Sequence, residues 1–190
     1  RYSFGSAYGG SLGTDIDAVL YTPNSQMKIF GGLVLSNTSI KVLNGASVRS
    51  SVYGGGKVAC VGGDTYVTVN GGHVGVNQVR PSNKYVLFGG MRMGNVYGGG
   101  RGSTTSVVAG LVKGNTNVTV SSGGVYHNVY GGGALGSVGD FDLSTEENKA
   151  SYGVMYANVP VNWKGETGTA RVTITGGTIG TDGIAVDGVN

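Results

Sequence analysis

The sequence predicts an all-β fold, a right-handed parallel β-helix (β-solenoid) of roughly six to eight coils, on three observations. The phrase Val-Tyr-Gly-Gly-Gly recurs at 52–56, 96–100 and 129–133, with shortened forms at Ala7-Tyr8-Gly9-Gly10 and Ile29-Phe30-Gly31-Gly32. Alternating runs such as Val67-Thr68-Val69, Val118-Thr119-Val120 and Val172-Thr173-Ile174 lead into Gly-Gly steps. A helix needs about ten suitable residues, and only Ser144 to Tyr152 approaches that. Self-similarity of this kind marks an array of stacked units, each too small to bury its own apolar face.

Aligned on the Gly-Gly step, one unit reads as two alternating apolar residues, Gly-Gly, about five residues, then apolar-Tyr-Gly-Gly-Gly. Ile40 to Gly56 fits, as do Val67 to Gly72, Val86-Leu87-Phe88-Gly89-Gly90 through Gly100, Val118 to Gly133 and Val172 to Gly177. Alternation at period two turns Ile40/Val42, Val67/Val69, Val118/Val120 and Val172/Ile174 inward and leaves Lys41, Thr68, Thr119 and Thr173 outside. The Gly-Gly steps at Gly45, Gly71, Gly89, Gly123 and Gly176 lie 26, 18, 34 and 53 residues apart, and the shortest interval is expected to set the minimal coil. A β-propeller blade wants about 40 residues at even spacing. Glycines at strand ends are expected to supply positive φ at corners. Stacking then brings Tyr53, Tyr97 and Tyr130 to one corner, with Asn95 and Asn128 beside them, ring on ring and amide on amide.

Composition agrees with a packed β-rich chain. The 39 glycines among 190 residues are roughly three times the ordinary share, yet there is no Gly-X-Y period, which excludes collagen. Eleven tyrosines and many β-branched residues exclude Gly-rich disorder. The net charge of +3 comes from singly scattered cations such as Arg49, Lys57, Arg80, Lys84, Arg92, Arg101 and Lys113. Nucleic-acid binding calls for a concentrated basic footprint instead. Cys60 is the one cysteine and has no Cys/His/Asn arrangement around it, so it reads as a buried small residue. No apolar run is long enough for a membrane span.

Residues 1–190 read as one domain with an insertion or irregular coil at about 140–170. That stretch holds five of the ten acidic residues and the single tryptophan. Asp140, Asp142, Glu146 and Glu147 are its weak calcium candidates, set against solvated turn acids and no cofactor. Asp15/Asp17 read in the same way. Tyr152, Tyr156 and Trp163 are the candidates for glycan binding, because aromatic faces and acids occur together only there. His73 and His127 follow their Gly-Gly steps at different offsets and form no repeated ligand slot. No nucleophile elbow or phosphate-binding loop is present, and no catalytic residue is assigned. A row of Thr68, Thr119 and Thr173 is too sparse for an ice-binding face, and Lys41 interrupts it.

The Val-Tyr-Gly-Gly-Gly endings joined to Asn-x-x-Val-Thr-Val-x-Gly-Gly starts resemble the Gly-rich repeats of large secreted and surface-anchored proteins of gut bacteria. Those are similar in turn to adhesin and autotransporter β-helices. The resemblance covers most of Ile40 to Gly133 and Arg171 to Gly180, and it fails over Asp140 to Thr169. It implies an extracellular or cell-surface location and a non-enzymatic structural or adhesive role, with neighbouring repeats and host or microbial glycans as partners. A polysaccharide lyase or hydrolase is the alternative. Repeat-like residues run close to both ends without a cap, which predicts a stretch of a longer array or a subunit that stacks head to tail.

Overall fold

The computed structural model describes residues 2–3, 5–13, 32–75, 87–88, 91–103, 109–139 and 168–180. Among them there is no helix. The strands are β1 (Tyr2–Ser3), β2 (Ala7–Tyr8), β3 (Thr38–Leu43), β4 (Ser47–Val48), β5 (Val52–Tyr53), β6 (Thr65–Val74), β7 (Leu87–Phe88), β8 (Met91–Arg92), β9 (Val96–Tyr97), β10 (Thr116–Val125), β11 (Val129–Tyr130), β12 (Ala170–Ile174) and β13 (Thr178–Ile179). Two sheets are wholly parallel. The larger has seven strands in the order β1-β4-β6-β10-β12, with β3 also on β6 and β13 also on β10; the smaller has four, in the order β11-β9-β5-β2.

Reading across the pairings gives tiers. The first holds β1, β2, Leu12 and Val34; the second β3, β4, β5, Lys57 and Val61; the third β6, β9, Arg101 and Val112; the fourth β10, β11, Leu135 and Val138. The fifth holds β12 and β13. The described residues thus supply five levels of the larger sheet, against the six to eight coils expected.

The step between equivalent residues is 27 from Asn37 to Asp64, 51 from there to Asn115 and 54 from there to Thr169. The shortest step among the described pairings is the 26 residues from Val112 to Val138, and not 18. The 18-residue interval ended at Gly89, where the expected unit start is instead an antiparallel pair, with Leu87 opposite Arg92 and Phe88 opposite Met91. Leu87 and Phe88 therefore pair with the strand that follows them and do not open a new unit on the parallel sheet.

Parallel pairing in register stacks like on like. Ile40, Val67, Val118 and Val172 form one column, Val42, Val69, Val120 and Ile174 a second, and Val48, Val74, Val125 and Ile179 a third. Val52 and Val96 face them from the smaller sheet, and the buried valines make one core. Each fully buried valine contributes on the order of 1.5 kcal/mol. Val172 and Ile174, expected inside, are 38% and 55% exposed. Their strand is the outermost of the described sheet, so their side chains pack on one side only.

The glycines do two different jobs. Gly45 of Asn44-Gly45-Ala46, and Gly71, Gly123 and Gly177 of the Gly-Gly pairs, carry positive φ. The Gly-Gly-Gly triplets do not, contrary to the corner role expected of them. A Cβ on Gly54 would strike the Gly98 carbonyl oxygen, and one on Gly98 that of Gly131; on Gly55 it would meet the Gly100 nitrogen at 2.7 Å. Those residues are glycine because the next tier's backbone occupies the space. Positive φ outside glycine falls at Val58 and Leu135, a strained setting for the β-branched Val58.

A buried threonine braces the second, third and fourth tiers from within. Thr38 Oγ1 donates to the Gly54 carbonyl at 2.6 Å, Thr65 Oγ1 to Gly98 at 2.5 Å and Thr116 Oγ1 to Gly131 at 2.5 Å. Each bond ties the start of the long strand to the triplet across the interior. Ala170 takes this place in the fifth tier.

Two outcomes follow. Gly98→Ala should lose about 3 kcal/mol or more, because neither backbone can give way, whereas Gly132→Ala should stay within about 1 kcal/mol; a Cβ there meets nothing within 4 Å. Urea midpoints measure both, and equal losses would contradict the account. Thr65→Val keeps the shape but deletes a buried hydrogen bond and should cost about 1–3 kcal/mol in the same experiment.

Candidate functional site

Adjacent residues of a strand face opposite ways, so once Val52 and Val96 enter the core, Tyr53 and Tyr97 turn away from it. They form a second cluster with Ala134, against which Tyr8 packs. Four rings stack in a row. Tyr8 to Tyr53 is 4.8 Å between centroids, Tyr53 to Tyr97 4.9 Å and Tyr97 to Tyr130 4.9 Å, with interplanar angles of 7°, 5° and 10°. That distance is the strand spacing of about 4.8 Å, so backbone pairing dictates it and the rings fit it. Tyr53 and Tyr97 are buried, while Tyr130, on the edge strand, is 43% exposed.

Burial pushes the Tyr97 hydroxyl from its ordinary 10.0 to about 12, with Tyr53 and Tyr130 adding to the shift and Arg101 opposing it. Tyr53 is raised as well, by burial first and then by Tyr8, against Arg101 and a hydrogen bond with Ser51. Arg101 therefore lies near both phenols without overcoming their burial. It also pairs in register with Lys57 of the tier below. Cations that the sequence scatters singly are neighbours here, and only the tier length reveals it.

Beside the rings runs a polar column. The Asn95 N–H donates to Ser51 Oγ at 3.2 Å, and the Asn128 N–H donates to Asn95 Oδ1 at 3.0 Å. Asn95 is buried and Asn128 exposed. The Asn95 contact runs from its side-chain oxygen to the backbone of the next tier, where the sequence suggested amide on amide. A second column went unrecognised in the sequence. Asn37 Oδ1 accepts from the Asp64 N–H at 2.8 Å, Asp64 Oδ1 from the Asn115 N–H at 2.7 Å, and Asn115 Oδ1 from the Thr169 N–H at 2.9 Å. Its signal is an Asn or Asp directly before the Thr that opens each long strand: Asn37-Thr38, Asp64-Thr65, Asn115-Thr116. Tyr66 Oη donates to Asp64 Oδ2 at 3.1 Å, and this bond and the carboxylate charge raise the Tyr66 pKa.

The remaining candidates separate. Cys60 is buried in the core, and desolvation pushes its thiol from 9.0 to about 11, so it is held protonated, opposite to what a nucleophile needs. His73 is exposed and His127 partly so. Among the described residues no group of three or more His, Cys, Asp or Glu could hold a metal ion, and no helix is long and apolar enough to cross a membrane. Asp15, Asp17, Asp140, Asp142, Glu146, Glu147, Tyr152, Tyr156 and Trp163 lie outside the described residues. No protein-family model, curated protein or solved structure matches the chain.

The ladder carries two expected outcomes. Tyr97→Ala should cost about 3–5 kcal/mol by opening a buried ring-sized hole, and Tyr97→Phe about 1 kcal/mol or less, both read from urea unfolding. Similar costs for the two would mean that the ring stack contributes little. The raised pKa values favour the neutral form in the fold, so stability is full below the unfolded values. It is lost as pH climbs from 9.0 and 10.0, where unfolded Cys60 and Tyr97 ionise, through about 11 and about 12, where the folded groups do. Urea midpoints across that window should fall steadily; a flat profile contradicts the burial of these groups.

Proposed function

We propose that the chain is a non-enzymatic structural or adhesive module, outside the cell or on its surface, built as a single right-handed parallel β-solenoid with an insertion at about 140–170. The observation that carries this reading is the repetition of the same side chains, in register, in consecutive tiers: Tyr8-Tyr53-Tyr97-Tyr130, Thr38-Thr65-Thr116 and Asn37-Asp64-Asn115. Side chains spent on tier-to-tier cohesion suit a stalk or spacer, whose stability is a sum of unit and neighbour terms along one axis. The resemblance of the Val-Tyr-Gly-Gly-Gly endings to bacterial surface repeats supports the same reading. So does a surface with few charges, since only 12% of the residues are charged. Its partners are neighbouring repeats or subunits and host or microbial glycans.

Single-molecule stretching from the two ends tests it. A solenoid should peel in steps whose contour lengths correspond to 27, 51 and 54 residues, at about 3.4 Å per residue. A single all-or-none rupture at low force would contradict the stalk reading. A falling viscosity in a polysaccharide solution mixed with the chain would replace it with a lyase or hydrolase.

A further inference from the structure

Of the large exposed hydrophobic side chains among the described residues, Leu43 and Tyr66 lie in the second and third tiers and the others toward the two ends of the tier stack. Leu12 and Leu35 belong to the first tier, Tyr130 and Leu135 to the fourth, and Val172 and Ile174 to the fifth. Both ends also present strand edges: β2 is one edge of the smaller sheet and β11 the other.

The hydrogen bonds of that sheet form a regular series. Ala7 and Gly9 donate N–H groups to the carbonyls of Ser51 and Tyr53, Val52 and Gly54 to those of Asn95 and Tyr97, and Val96 and Gly98 to those of Asn128 and Tyr130. The next donors in the series are Val129 and Gly131. The acceptors that fit them are the carbonyls of Ser6 and Tyr8, which occupy the same columns at the opposite end.

An independent observation comes from Gly132. At its counterparts Gly55 and Gly99 an added Cβ would meet the following tier's backbone at 2.7 and 2.8 Å, which accounts for the glycine. At Gly132 nothing lies within 4 Å, and φ is not in the left-handed region. Within the described residues nothing demands glycine there. A further triplet backbone laid on top would.

We propose that this end receives the first tier of a second copy of the same chain, with Tyr8 of the newcomer stacked on Tyr130 and Gly9-Gly10 laid over Gly131-Gly132. The ladder of four rings then runs on across the junction. The steps in the larger sheet agree with it: among the described strands β12 has no outer neighbour and β3 pairs with β6 alone, so β12 of one copy lies where β3 of the next lacks a neighbour. β1 and β13 answer to the same column, through Ser3 on Val48 and Ile179 on Val125, so at the junction the two-residue β1 is displaced. The contact is head-to-tail and its repetition gives an open filament.

The inference rests on the layered reading above, and the test separates the two. Sedimentation velocity of the full chain over a range of concentrations should show mass growing past the dimer. Gly132→Ala and Tyr130→Asp should each weaken association by about tenfold or more while leaving the urea midpoint of the monomer unchanged. Leu12→Asp blocks the other end, so an equimolar mixture of the Gly132→Ala and Leu12→Asp chains should stop at the dimer. A wild-type chain that stays monomeric or stops at the dimer overturns the proposal. So does a Gly132→Ala chain that associates as wild type does, or one as destabilised as Gly99→Ala, which would show the chain covering this end itself. A chain that stays monomeric yet peels tier by tier under force would end the stacking and leave the solenoid reading standing.

Discussion

One strand spacing governs this molecule. Parallel strands held in register by backbone hydrogen bonds lie about 4.8 Å apart, and every recurrent residue is a solution to what that distance allows. Flat rings tolerate it, so tyrosines stack at 4.8 and 4.9 Å. Side-chain oxygens of Asn37, Asp64 and Asn115 span it to the N–H of the next tier. Where one backbone packs directly on another, at the triplets, no Cβ can be admitted.

Much of this was legible because a repeated residue in an in-register stack is necessarily a column. The Val-Tyr-Gly-Gly-Gly phrase located the smaller sheet, and Val-Thr-Val alternation assigned the buried faces of β6 and β10. What was not legible depends on the lengths between columns. Gly89-Gly90 looked like Gly71-Gly72 and Gly123-Gly124, yet its flanks form a hairpin, since a dipeptide does not encode which partner its neighbours will meet. The triplet glycines were read as corner residues, whereas their constraint is steric and comes from the backbone of the following tier, Gly98 for Gly54, Gly100 for Gly55, Gly131 for Gly98 and Gly133 for Gly99, far away in the chain. Arg101 beside Lys57, and the Asn-Asp-Asn column, were invisible for the same reason.

The electrostatics follow from the packing. Burial raises Tyr53, Tyr97 and Cys60 and keeps them neutral, and the Arg101 charge near the phenols only moderates the effect. The polar columns place their oxygens where each accepts a backbone N–H, so the Oδ1 of buried Asn95 has its partner in the tier above.

Amide hydrogen exchange at the triplets tests the central claim most directly. The N–H groups of Gly54, Gly55, Gly98 and Gly99 donate to the carbonyls of Tyr97, Gly99, Tyr130 and Gly132 in the following tier. If tier-to-tier registration holds the two sheets as one unit, these amides are protected as strongly as those of Val67, Val69, Val118 and Val120 in the long strands. Exchange at the triplets as fast as in a free chain, with the long strands still protected, would contradict it.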